Sequence, residues 1–139
     1  LLGAQLLRGD QTGGIILAFE VARQLDVAAA YAERKSEGSG REFRRGTTFA
    51  PGSRVLVVDD ILTTGGSVRE TLEALRGHPV EVVGIGILVD RSGGNVDFGL
   101  PMRALANMQI ETWEPDDCPL CARGAPLIKP GTTPGAGTA

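Results

Sequence analysis

The sequence predicts an α/β fold built on an open, mostly parallel sheet flanked by helices, and two runs of residues carry that expectation. Val55, Leu56, Val57 and Val58 form a short strand that is apolar throughout, as a parallel strand covered on both faces must be. The strand ends in adjacent carboxylates, Asp59 and Asp60. It then turns through Ile61-Leu62-Thr63-Thr64-Gly65-Gly66-Ser67 into a helix with one buried stripe, Val68, Leu72 and Leu75. A second apolar run at residues 80–89 reads as another buried strand, with Gly84 and Gly86 allowing close backbone approach. Strand, helix and strand in this order are the signature of a parallel sheet.

The remaining elements follow in chain order. Residues 1–7 read as the end of a helix whose start is absent. Gly13-Gly14 opens a helix with Ile15, Ala18, Phe19, Ala22 and Leu25 on one face. Residues 27–32 read as a strand of small residues suited to close packing. After the Ser36-Glu37-Gly38-Ser39-Gly40 turn, the charged run 41–49 reads as an edge hairpin arm. Ser67 and Glu70 have capping-box spacing at the start of the signature helix. Residues 109–113 are expected to form a short final strand. Residues 132–139 contain only Gly, Pro, Thr and Ala and are expected to be unstructured. There is no internal repeat.

Composition agrees with a soluble, cytoplasmic domain. The 139 residues suffice for one core but are few for an independent enzyme with a covering lid. A net charge of −3 implies neither a nucleic-acid nor an anionic-membrane partner. No apolar run reaches bilayer length, and there is no signal-peptide pattern. Glycine is the unusual component at 20 residues. Part of that excess lies in the two loops that read as anion sites.

The run at residues 54–76 carries the chemistry. The two acids stand at the carboxyl end of a parallel strand, where open α/β sheets bind ligands. The glycines let backbone approach an anion, and the next helix begins with free N–H groups and its positive dipole end aimed there. A ribose phosphate fits such a site, its phosphate on the loop and its hydroxyls or a metal on the carboxylates. Gly13-Gly14 at a helix start reads either as a second anion loop or as a plain turn.

Residues 57–67 resemble the phosphoribosyl-diphosphate (PRPP) signature of the type I phosphoribosyltransferases: apolar residues, two acids, three variable positions, Thr-Gly and a small hydroxyl residue. Tyr31-Ala32-Glu33-Arg34-Lys35 resembles the strand end where the orotate members carry an Arg-Lys pair for the diphosphate. Val89-Asp90-Arg91 is similar to their Asp-Arg, whose arginine holds the orotate carboxylate; the planar guanidinium suits a carboxylate through two parallel hydrogen bonds. Cys118-Pro119-Leu120-Cys121, followed by Gly124, Pro126, Leu127 and Lys129-Pro130-Gly131, resembles the C-terminus of many bacterial orotate enzymes. The likeness runs from about Gly13 to Gly131.

The resemblance implies the type I phosphoribosyltransferase fold over residues 1–131, N-terminally incomplete, and a homodimer that transfers phosphoribosyl from PRPP to orotate with Mg2+ as helper. Asp59 and Asp60 would be catalytic and would meet the metal through PRPP. Arg34, Lys35 and the run Ile61, Leu62, Thr63, Thr64, Gly65, Gly66 and Ser67 would bind PRPP, and Thr63 and Arg91 orotate. Several features depart from the pattern. The diphosphate loop reads Gly9-Asp10-Gln11-Thr12-Gly13-Gly14, and Leu6-Leu7-Arg8 is too short for the strand that should precede it. Gly38 and Gly40 stand where the family's loop has Lys and His; Arg41, Arg44 and Arg45 either reach over the diphosphate instead or form a solvated basic edge. The N-terminal hood over the base is missing, which implies a fragment or truncated variant. A purine transferase of the same fold and a non-catalytic PRPP sensor are the other readings, and Arg91 argues against the first. His78 reads as a surface residue. Cys118 and Cys121 read as a reduced pair, since a structural zinc needs four ligands and a disulfide is out of keeping with the cytosol.

Overall fold

The period-two geometry of one strand organises the molecule. In the computed structural model, which describes residues 4–7, 12–44, 46–111 and 113–125, strand β4 (Ser53–Leu62) has four-stranded company in the order β1-β4-β5-β6. It pairs with β1 (Ala4–Leu7) and β5 (Val80–Asp90), β5 pairs in turn with β6 (Met102–Asn107), and all three pairings are parallel. Val55 and Val57 point to one face, into a core with Phe49, Leu62, Val68, Leu75, Ile85 and Ile87. Leu56 and Val58 point to the other and meet Ala18, Val21 and Ala22 of α1 (Thr12–Leu25). Helix α2 (Gly66–Leu75) covers the first face through Val68 and Leu75, which are 1% and 2% exposed. The stripe expected for α2 is therefore observed, as is the strand at 80–89.

Three expected elements differ. Residues 4–7 form a parallel strand, with Leu7 opposite Val57, instead of a helix end; the strand expected to be missing before the Gly13-Gly14 turn is this one. A strand of four residues is too short to show a periodicity, so the sequence could not distinguish the two. Residues 27–32 contribute only the start of a strand: β2 (Ala32–Arg34) pairs antiparallel with β3 (Arg41–Phe43) in a separate hairpin. The last strand is β6, not residues 109–113, of which 109–111 and 113 have no regular structure. The alternation Met102, Ala104 inward and Arg103, Leu105 outward marks β6 as an edge strand with one half-buried face.

On α1, Ala18 and Ala22 are buried, whereas Phe19 and Leu25 are 62% and 54% exposed. The helix approaches the sheet along its smallest side chains, so the expected apolar face is only partly the packing face. The expected hairpin arm is present, but Arg41 is buried, with Nε 3.1 Å from Glu70 Oε2 of α2. Arg44 pairs with Glu42, and Arg45 lies outside the described residues. His78 is half-buried, its ring edge-on to Phe43 at 5.3 Å and Phe49 at 4.8 Å. It is part of an aromatic cluster, because the turn after α2 brings it under the hairpin.

The chain divides into two compact units, Leu1–Gln109 and Ile110–Ala139. Among its described residues the second has two short 3-10 turns, Pro115–Asp117 and Cys121–Arg123. The tail at residues 132–139 lies outside the described residues. Among those described, no helix is long and apolar enough to cross a membrane.

Gly84 shows how tightly β5 is fitted. A Cβ there would stand 3.0 Å from the Pro101 carbonyl oxygen. Gly84→Val is expected to lower unfolding free energy by about 1–3 kcal/mol through overpacking, measured as a shift in urea midpoint at unchanged slope.

Candidate active site

Alternation along β4 does not stop at its apolar residues. Asp59 continues the row of Val55 and Val57, and Asp60 the row of Leu56 and Val58, so adjacent carboxylates emerge on opposite faces of one strand. Each meets the start of a helix. Asp59 is 2% exposed and its Oδ2 accepts a hydrogen bond of 2.9 Å from Ser67 Oγ in the first turn of α2. Asp60 turns toward α1, where a Cβ on Gly13 would lie 2.6 Å from Asp60 Oδ2. Its Oδ1 accepts the Ile61 N–H at 2.7 Å. A carboxylate beside a helix N-terminus is electrostatically favoured, because the free N–H groups carry partial positive charge. Gly13 is therefore required for close approach, and the start of α1 joins the site; residues 8–11 lie outside those described.

Between the acids and α2, Thr63 and Thr64 are exposed, and Gly65 adopts the left-handed conformation, φ 77°, as the residue that caps α2. No side chain caps the helix. The expected Ser67–Glu70 capping box is replaced by two longer-range contacts, Ser67 to Asp59 and Glu70 to Arg41. Gly65 is also packed from outside: a Cβ would meet Arg69 Nη1 and Val96 Cγ1 at 2.8 Å and Phe98 Cζ at 2.9 Å. Arg69 donates from Nη1 to the Thr64 carbonyl at 2.9 Å and lies over the Phe98 ring at 5.1 Å. Gly66, by contrast, faces open space apart from Thr64 Oγ1 at 3.7 Å. One glycine holds the loop shape and the next leaves the helix start uncovered, ready for an anion.

Arg91 follows β5 directly, and its N–H donates to the Leu62 carbonyl at 2.8 Å, extending the β4–β5 ladder by one bond. That bond sets Arg91 beside Thr63. Asp90 is 6% exposed and its Oδ1 accepts the Ser92 N–H at 2.7 Å, turning the chain immediately after the strand. Arg91 Nε is buried with no hydrogen-bond partner among the described residues. A hollow of about 410 Å3 opens alongside, lined by Asp90, Gly93, Gly94, Asn107, Met108 and Gln109.

The structure thus gathers Asp59, Asp60, the run from Thr63 to Ser67 and Arg91 at one end of the sheet. Leu62 contributes only backbone there, since its side chain is 1% exposed in the core, whereas Ile61 is 45% exposed. Arg34 ends β2 in the hairpin. Lys35 lines a hollow of about 520 Å3 along the flank of α2, with Arg41, Glu70, Glu73 and His78.

Residues 9–98 match the family model of the phosphoribosyl transferase domain, a span that includes both helix starts and both carboxylates. The chain belongs to the phosphoribosyltransferase family. It is 52% identical over 124 residues to the orotate phosphoribosyltransferase of Caldanaerobacter subterraneus subsp. tengcongensis, covering 89% of this chain and 64% of that protein. Among solved structures it is similar to orotate phosphoribosyltransferase from Aeropyrum pernix, with 29% identity and a TM-score of 0.60 over 76% of this chain and 61% of that one. Adenine phosphoribosyltransferase from Thermoanaerobacter pseudethanolicus shares the fold, with a TM-score of 0.63 at 16% identity, covering 76% of this chain and 71% of that one. The chain spans about two thirds of the length of the curated relatives it matches.

In this phosphoribosyltransferase domain, Arg69, Val96 and Phe98 brace the loop at Gly65, which no sequence motif marks. The Arg69 guanidinium also reaches the Asp97 carbonyl, 28 positions away, a contact that no local pattern reports. Ser67→Ala removes the hydroxyl donor to Asp59. Unfolding free energy is expected to fall by about 1.5–3 kcal/mol, the range for a hydrogen bond to a charged group. Chemical denaturation at neutral pH measures it.

Proposed function

We propose that this phosphoribosyltransferase chain transfers phosphoribosyl from PRPP to orotate, giving orotidine monophosphate and diphosphate in pyrimidine nucleotide synthesis. The observation that carries the choice of base is Arg91, whose backbone N–H bonds the Leu62 carbonyl at the end of β5 and whose guanidinium Nε is buried with no hydrogen-bond partner among the described residues. A neutral purine needs no such cation, while orotate brings a carboxylate suited to it. The names of the relatives above support the same reading.

In this proposal the transition state resembles an oxocarbenium ion, and catalysis is mainly orientation and electrostatics. Asp59 and Asp60 hold the ribose hydroxyls and steady positive charge at the anomeric carbon. Backbone N–H groups and hydroxyls of residues 63–67 cradle the 5′-phosphate at the start of α2. Arg34 and Lys35 take the diphosphate, and Thr63 and Arg91 hold orotate. We assign the phosphoribosyltransferase domain to residues 1–131 and the working form to a cytoplasmic homodimer.

The donor set fits Mg2+. Two carboxylates end the same strand, one on each face, and among the described residues no group of three His, Cys, Asp or Glu could hold a metal by itself. Mg2+ binds through one or two carboxylates plus substrate phosphates and water. Asp59 and Asp60 would hold it through PRPP, and when bound it offsets charge on the departing diphosphate.

Asp59→Asn with Asp60→Asn is expected to lower the rate of orotidine monophosphate formation by about 10²-fold or more, with the circular dichroism of the folded chain retained. Turnover near the parent rate would remove the carboxylates from the mechanism. Arg91→Ala is expected to reduce catalytic efficiency for orotate by about 2–5 kcal/mol, while calorimetric PRPP affinity changes by less than about tenfold. Equal weakening of both ligands would reassign Arg91 to the phosphates or to structure.

A further inference from the structure

We propose that Arg69 is a positioning residue for the 5′-phosphate of PRPP: by holding the Thr64 carbonyl it aims the Gly65 N–H at the ligand. This role rests on the phosphate cradle proposed for residues 63–67 and adds to it a side chain that touches no substrate.

The hydrogen-bond ladder of α2 begins with the Arg69 N–H on the Gly65 carbonyl at 3.0 Å. The rung before it would join the Val68 N–H to the Thr64 carbonyl. That carbonyl is held instead by Arg69 Nη1 at 2.9 Å, and none of the backbone N–H groups of residues 65–68 donates to another group among the described residues. The peptide between Thr64 and Gly65 is trans and planar, so its N–H points opposite to its C=O. With the carbonyl drawn to Arg69, the Gly65 N–H is turned away from the side that Arg69, Val96 and Phe98 close. A phosphate oxygen supplies the acceptor that this donor lacks.

The guanidinium is itself fixed. Its face lies over the Phe98 ring at 5.1 Å while its edge holds the carbonyl, so both contacts form at once. Phe98 belongs to the connection between β5 and β6, and Arg69 thereby ties the loop to a segment distant in the chain. Glycine accepts φ of either sign, so without that hold the Thr64–Gly65 peptide can turn over at low cost and take its N–H out of line. A lysine has one compact head and cannot span carbonyl and ring together.

Arg69 is exposed, beside a hollow of about 320 Å3 lined also by Leu72, Glu73, Arg76, Asp97 and Phe98. Its replacement therefore leaves no cavity in the core, and the variants can be compared as folded chains.

The test measures, by calorimetry, the affinity of the full chain and of Arg69→Met and Arg69→Lys for PRPP with Mg2+, for ribose 5-phosphate and for diphosphate. Methionine keeps an apolar contact with Phe98 and gives Thr64 no donor. Arg69→Met is expected to bind PRPP and ribose 5-phosphate about tenfold or more weakly, the loss of one aimed donor to a charged group. Its diphosphate affinity and circular dichroism should match those of the unaltered chain. Arg69→Lys should recover part of the loss, at low and high salt alike. Equal weakening toward all three ligands, or unchanged affinity for ribose 5-phosphate, would overturn the proposal as a structural role. Full recovery by lysine that disappears at high salt would overturn it as a screened long-range charge. An unaltered chain that binds neither PRPP nor ribose 5-phosphate would overturn the phosphate cradle itself, and the role of Arg69 with it.

Discussion

The site depends on the alternation of side chains along β4. Because successive residues of a strand point to opposite faces, two neighbouring aspartates are directed to two different helices, Asp59 to the start of α2 and Asp60 to the start of α1. The carboxylates would repel each other if both were forced to one side. On opposite faces, each is stabilised by a helix dipole or a hydroxyl donor while both remain at the ligand-binding end of the sheet. Gly13 and Ser67 follow from that split. A side chain at residue 13 would displace Asp60, and Ser67 is engaged by Asp59 instead of capping its own helix.

Arg91 depends on the same strand from the other side. The β4–β5 pairing opposes Leu62 with Asp90, so the next N–H after the strand reaches the Leu62 carbonyl and brings Arg91 to the loop. A slip of one residue in that register would turn Arg91 to the opposite face. The register includes an irregularity between Val55 and Leu56, which passes over Val83 on β5 before the ladder resumes at Gly84. Fixed strand pairing, not loop conformation, therefore sets the spacing between Arg91 and the carboxylates.

The loop is stiffer than its glycine content implies. Gly65 is closed in by Arg69, Val96 and Phe98, and only Gly66 leaves backbone open. This division suits anion binding, since a loop already held in its bound shape loses less conformational entropy on binding. The basic residues of the hairpin serve structure as well. Arg41 is buried against Glu70, tying β3 to α2, and Arg44 is paired with Glu42 on its own arm. Neither is a free cation.

The sequence by itself determined the central strand, the helix after it, the strand at 80–89 and the glycine turn that joins the first two. These are local: an unbroken apolar run, a helical stripe and glycines before a helix start each depend on neighbours within a few residues. It misjudged β1, because four residues are too few to show a period, and β6, because an edge strand with one exposed face is not apolar enough to stand out. Only the tertiary structure decided which helix each aspartate meets, what Ser67 and Glu70 bond to, and that Phe19 stays exposed while Ala22 is buried. Those outcomes arise from contacts between residues far apart in the chain, where packing and charge pairing override the nearest-neighbour preferences that a sequence displays.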